Sequence, residues 1–125
     1  MDLELISTSE APQPGGAYAQ AVRTGNLLLL AGQVGIDPAS GQVGDGLAAQ
    51  TRQAVSNLDA VLRAAGGSLD NLVKTTCFLA ALDQFSIFNA AYAEALEDRR
   101  PARSTVGVAL AGAYLIEIEG IAVLE

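Results

Sequence analysis

Residues 101–124 read PARSTVGVALAGAYLIEIEGIAVL, and the alternation in this stretch decides what kind of fold the chain can make. Side chains on a strand point to opposite faces in turn. From about Ala102 to Ala109, Arg103 and Thr105 share one face, while Ser104, Val106 and Val108 share the other. From about Tyr114 to Leu124, Ile116, Ile118 and Ala122 point one way, and Glu117, Glu119, Ile121 and Val123 the other. A tight loop containing Gly112 separates the two segments, which predicts two antiparallel neighbouring strands. On that pairing, Arg103 and at least one of the two glutamates line a common cleft.

Working upstream, Pro101 closes a helical segment whose stripe is Phe85, Phe88, Tyr92, Ala95 and Leu96, with Asp83 as its expected N-cap. Leu72 to Ala80 is rich in β-branched residues and reads as a strand. Before it lies the clearest helix, from about Gly46 to Ala65. There Leu47, Thr51, Ala54, Val55, Leu58, Val61, Leu62 and Ala65 recur at three- and four-residue intervals, and Gly66-Gly67 supplies the stop. Leu27 to Gln33 is a nearly continuous apolar strand of the kind buried on both faces. Turn chemistry flanks it at Thr24-Gly25-Asn26 and Asp37 to Gly41. Leu3 to Ser7 and Tyr18 to Arg23 complete the strands, joined by a Pro- and Gly-rich loop from Ser9 to Gly16. The whole is one α+β domain over residues 1–125, a mixed sheet with two helices packed on one face. The other face needs cover, which neighbouring subunits of so small a chain would provide.

Composition narrows the function. Half of the 125 residues are hydrophobic, Trp is absent and aromatics make up 5%, so the core is built from Ala, Val, Leu and Ile. The net charge is −7, and no basic cluster offsets it. Such a surface repels phosphate backbones, which argues against a nucleic-acid partner. Arg99-Arg100, the only adjacent basic pair, follows Glu97-Asp98 and reads as locally neutralised within a solvated helix end. One cysteine and no histidine exclude an internal disulfide and a Cys/His zinc site. Met1-Asp2-Leu3-Glu4 lacks the basic and apolar regions of a signal peptide, and the run Leu27 to Ala31 is too short to span a bilayer. A cytoplasmic, membrane-free protein is expected.

Polar residues inside strands are the hardest to explain by packing. Arg103 presents a planar fork suited to a carboxylate, and a partly buried Glu can orient or deprotonate a water. The same pair also fits a structural bridge at a sheet edge or subunit interface. Cys77 shares a face with Val73, Thr75 and Leu79 and reads as core packing. Gly32-Gln33-Val34-Gly35 has the wrong spacing for a phosphate loop and no following Lys. Tyr18 is either a core or interface aromatic or a ligand-stacking one.

Several segments together resemble the Rid (YjgF-like) family: Pro101-Ala102-Arg103-Ser104, Ile116-Glu117-Ile118-Glu119 and Ile121-Ala122-Val123, with Gly16-Ala17-Tyr18-Ala19-Gln20 and Ala31-Gly32-Gln33 upstream. Val73-Lys74-Thr75-Thr76 and Asn89-Ala90-Ala91-Tyr92 are also similar to its patterns. The resemblance implies a chorismate-mutase-like fold assembled as a homotrimer with three intersubunit clefts. It implies hydrolysis of 2-iminopropanoate and 2-iminobutanoate to 2-keto acids and ammonia, with no metal or cofactor. In that reading Arg103 grips the substrate carboxylate and Glu117 positions the attacking water. Tyr18, the backbone at Gly32 and Asn89 complete the pocket. Three departures bear on rate and preference. Ala31 stands where the family has Ser, Thr105 where Cys is frequent, and Ala17 where Pro is usual. Thr105 offers a hydroxyl from another direction, and the loop Ala109 to Leu115 is one residue shorter than is common. The alternative from another class is a non-catalytic protein that binds 2-keto acids or other small carboxylates in the same clefts. A nuclease is disfavoured by charge, and a chorismate mutase by the lack of further cations in the C-terminal strands.

Overall fold

The computed structural model describes residues 2–125, so Met1 of the N-terminal tetrapeptide lies outside it. The elements run β1 (Glu4–Ile6), β2 (Ala21–Thr24), β3 (Leu27–Val34), α1 (Leu47–Ala64), β4 (Leu72–Leu79), α2 (Phe85–Leu96), β5 (Ala102–Gly107) and β6 (Ile116–Val123). Short 3₁₀ turns at Leu69–Asn71 and Leu82–Gln84 lead into β4 and α2. All eight stripe positions of α1 are buried. Each large aliphatic among them contributes about 1.5–3 kcal/mol on leaving water. The helix stops in a Schellman motif: Gly66 takes a φ of 88°, its N–H donates to Arg63, and the Gly67 N–H donates to Leu62 at 2.9 Å.

The sheet order is β1-β2-β3-β6-β4-β5, which corrects the expected β5–β6 hairpin. β6 lies antiparallel between β3 and β4, and β5 pairs in parallel with β4 at the edge. The reason is burial. Ile116, Ile118 and Ala122 of β6 have no exposed surface, and only the central slot covers them on both flanks. β5, which carries Arg103 on its inward face, has no such requirement. Residues 108–115 therefore carry the chain across the end of β4, held by Val108 N–H to Leu79 and Ala80 N–H to Leu115, both 3.0 Å.

β3 and β4 both run antiparallel to β6, so β3-α1-β4 and β4-α2-β5 are parallel crossovers that step the same way along the sheet. Right-handed crossovers then put both helices on one face, as expected. α2 differs in detail. Asp83 sits inside the 3₁₀ turn and does not cap, because the chain enters α2 through the Gln84 N–H to Ala81 bond. Phe88, Tyr92 and Leu96 are buried, but Phe85 is 38% exposed at the helix's first turn.

Among the described residues, no helix or strand packs on the opposite sheet face. Leu5, Val22, Leu29 and Ile121 form one row across it by register. Leu5 is 69% and Leu29 44% exposed, so β3 is buried on one face within a single chain and not on both. No helix is long and apolar enough to cross a membrane among the described residues.

Candidate functional site

Strand phase places Arg103 and Glu117 on opposite faces of the sheet. Arg103 aligns with Thr75, and Thr75 with Gly120, on the helix-covered face. Glu117 aligns with Phe78, and Phe78 with Val106, on the open face. A single chain therefore does not bring the two together, contrary to the common cleft expected from a hairpin. Each instead lines its own cavity.

The first cavity, of about 390 Å³, is lined by Tyr18, Gly32, Glu117, Ile36, Ala111 and Tyr114 among others. Its floor is a bulge in β3. Leu30 pairs with Gly120 and Gln33 with Ile118, so β3 advances three residues while β6 advances two. The irregularity falls at Ala31 and Gly32. At Gly32 a Cβ would collide with the carboxyl group of Glu117, so the glycine makes room for that side chain against the backbone. The Ala31 N–H donates to the Gln20 carbonyl at 3.0 Å, and its methyl lines neither cavity. Burial, followed by the charge of Glu119, pushes the Glu117 pKa up from the ordinary glutamate value. That makes its carboxylate a better base.

Tyr18 lies in the loop before β2, not in the strand. Its hydroxyl accepts the Gly15 N–H at 3.1 Å, and its ring is 53% exposed. The loop is held by Gln20, whose side chain accepts from Thr8 N–H and donates to the carbonyls of Thr8 and Pro12. Gln50 does the same for the far wall. Its amide donates to Gly44 and Ala113 and accepts from Leu115 N–H at 2.8 Å. Sequence patterning alone does not mark these two buried glutamines as site-building residues. The sequence offered one signal for Gln50: it is polar at a position flanking the α1 stripe.

The second cavity, of about 410 Å³, is lined by Asn89, Tyr92, Ala93, Arg100, Pro101 and Arg103. Asn89 Oδ1 accepts from Arg103 Nη1 at 2.8 Å. The guanidinium carbon stands 4.9 Å from the Tyr92 ring centre and 5.5 Å from those of Phe85 and Phe88. Three rings and one amide thus fix the fork without neutralising it, and among the described residues no acid pairs with Arg103. A positioned, unpaired guanidinium is built to receive an anion from outside. The Tyr92 and Thr75 hydroxyls meet at 2.6 Å beneath it. Thr105 shares Arg103's face, but its buried hydroxyl has no hydrogen-bond partner among the described residues and lines neither cavity. Cys77 is fully buried, and burial pushes its thiol up to about 11, which suits packing and not nucleophilic attack.

Residues 8–124 match the sequence profile of a family described as endoribonuclease L-PSP. A RutC family protein of Pyrococcus horikoshii is 44% identical over 124 residues, covering 98% of each chain. The 2-iminobutanoate/2-iminopropanoate deaminase of Rattus norvegicus is 44% identical over 122 residues, covering 96% of this chain and 89% of that one. RidA from the Antarctic bacterium Psychrobacter superposes with a TM-score of 0.92 at 38% identity, covering 97% of this chain and 99% of that one.

Proposed function

This chain belongs to the endoribonuclease L-PSP (YjgF/Rid) family, and we propose that it hydrolyses 2-imino acids to 2-keto acids and ammonia, in the cytoplasm, at clefts between the subunits of a homotrimer. The observation that carries this reading is the division of the site. An unpaired, caged guanidinium and a carboxylate of raised pKa lie on opposite sheet faces. The face bearing Glu117 is open and carries the apolar row Leu5, Val22, Leu29 and Ile121. A neighbouring copy that covers it brings its own Arg103 cavity to the Glu117 cavity. The name of the rat relative supports the chemistry.

In the assembled cleft Arg103 holds the substrate carboxylate by its fork, leaving the imine carbon near Glu117 of the adjoining subunit. Glu117 takes a proton from water as the oxygen bonds to C2. That proton passes to nitrogen as the C=N double bond opens, giving a carbinolamine. Glu117 then carries the hydroxyl proton to nitrogen as the carbonyl forms and the C–N bond breaks, so one water is consumed and one ammonia released. An imine is already electrophilic, so positioning does most of the work. Asn89 fixes the arginine, while Tyr18 and the Gly32 backbone bound the water side. An endoribonuclease activity sits poorly with a net charge of −7 and no histidine.

The test generates 2-imino acids in situ with an amino-acid oxidase while semicarbazide traps what remains. The protein suppresses semicarbazone formation and Arg103→Ala does not. Failure of the unaltered protein to compete across several amino acids would refute deamination, and 2-keto acid binding would then be measured in the same cleft.

A further inference from the structure

The cavity that holds Arg103 has a second guanidinium on its lining, that of Arg100. Its neighbour Arg99 takes the nearby acids, Asp70 at 2.6 Å and Glu97 at 3.0 Å. Local neutralisation, expected for both arginines, therefore holds for Arg99 only. Arg100 pairs with no carboxylate among the described residues. Its Nη1 donates to the backbone carbonyls of Glu97 and Arg99, each at 2.6 Å. These bonds moor the guanidinium at the C-terminal end of α2, where carbonyls carry partial negative charge. Its other N–H groups have no protein acceptor among the described residues.

Two cations thus face one cavity whose remaining lining (Asn89, Tyr92, Ala93 and Pro101) contains no acid. Like charges that share a cavity repel each other, and an anion placed between them relieves that repulsion. Arg100 and Arg103 are three residues apart, so their Cα atoms are separated by at most about 10 Å. Two long side chains converge easily across that distance.

We propose that the cleft prefers substrates with a second carboxylate: 2-imino diacids and the 2-keto diacids they yield, Arg103 holding the 1-carboxylate and Arg100 the distal one. The assignment rests on the reading above that Arg103 is the carboxylate anchor. It adds that substrate preference is set by a residue outside the strand, on the helix-to-strand connection. A monocarboxylic substrate leaves Arg100 facing water. A diacid bridges both forks and gains a charge-assisted hydrogen bond in place of a solvated one.

The test measures binding of 2-oxoglutarate and 2-oxobutanoate to the full chain by calorimetry, which needs no turnover. The unaltered protein binds 2-oxoglutarate more tightly. Arg100→Gln lowers the ratio of the two affinities by about threefold to tenfold, and Arg100→Glu reverses the preference. Arg103→Ala weakens both ligands. Because Arg100 is exposed, its variants are expected to fold, and a circular-dichroism melt verifies this. An affinity ratio that Arg100→Gln leaves unchanged, while Arg103→Ala still weakens both ligands, overturns the proposal and spares the anchor. If Arg103→Ala changes neither affinity, the anchor reading has failed and the proposal falls with it.

Discussion

The carboxyl group of Glu117 fills the space that any side chain on residue 32 would need: a Cβ built on Gly32 falls 2.9 Å from both Cγ and Cδ of Glu117. One bulge in β3 and one absent side chain therefore set where the candidate base sits. The carboxyl group lies against the strand backbone at that point, so its position is sensitive to small changes in the strand.

Gly32→Ala must push Glu117 away from the bulge. Misplacement of a reacting group by about 1 Å can cost on the order of a hundredfold in rate. The variant is expected to lose about that much in kcat/KM for imine hydrolysis while its melting curve stays cooperative. A rate within a factor of two of the parent would mean that Glu117 has no fixed role in the reaction.

Glu119 shares a face with Glu117, and its charge helps raise the Glu117 pKa. If Glu117 acts as base, kcat/KM falls as pH drops through that raised pKa. Glu119→Gln removes the like charge, which lowers the Glu117 pKa and moves the acid limb to lower pH. The pH profiles of parent and variant check the sign, and a limb that moves upward contradicts it.

Arg103 is planar, caged by three rings and bonded to Asn89. Lysine keeps the charge but loses the fork and the stacking. Arg103→Lys is expected to raise KM by about tenfold or more, the loss of one charge-assisted hydrogen bond of roughly 1.5–3 kcal/mol. A KM equal to the parent's would show that charge alone suffices.

The open face explains how much of this was legible. The α1 stripe and the opposite phases of Ile116–Ile118 and Glu117–Glu119 follow from local periodicity, and the structure reproduces them. The place of β6 does not. A loop such as 108–115 permits a hairpin as readily as a crossing, and the choice is made by β3 and β4, far away in sequence. The cleft expected to join Arg103 and Glu117 in one chain is absent because β4 separates β5 from β6 and the strand phases set the two residues on opposite faces. Gln20 and Gln50 were illegible as clamps, because their partners are backbone carbonyls and amides of loops that no periodicity describes.

Leu29 sits mid-row on that open face. Leu29→Asp places a charge where a neighbouring copy would bury it, and an unpaired buried charge is costly. Sedimentation should report a smaller species than the parent, with imine hydrolysis lost alongside. A parent that sediments as a monomer would remove the intersubunit cleft.

In the proposed assembly one reaction site uses Arg103 from one chain and Glu117 from another. Subunit mixing tests it most directly. Arg103→Ala and Glu117→Gln, each expected to be inactive alone, are unfolded together at equal amounts, refolded, and assayed for imine hydrolysis. In a random cyclic assembly about a quarter of the interfaces join an intact Arg103 to an intact Glu117. The mixture should therefore recover about a quarter of the parent activity. Mixed oligomers that form, as mass spectrometry of differently tagged chains would show, yet remain inactive would contradict a site shared between subunits.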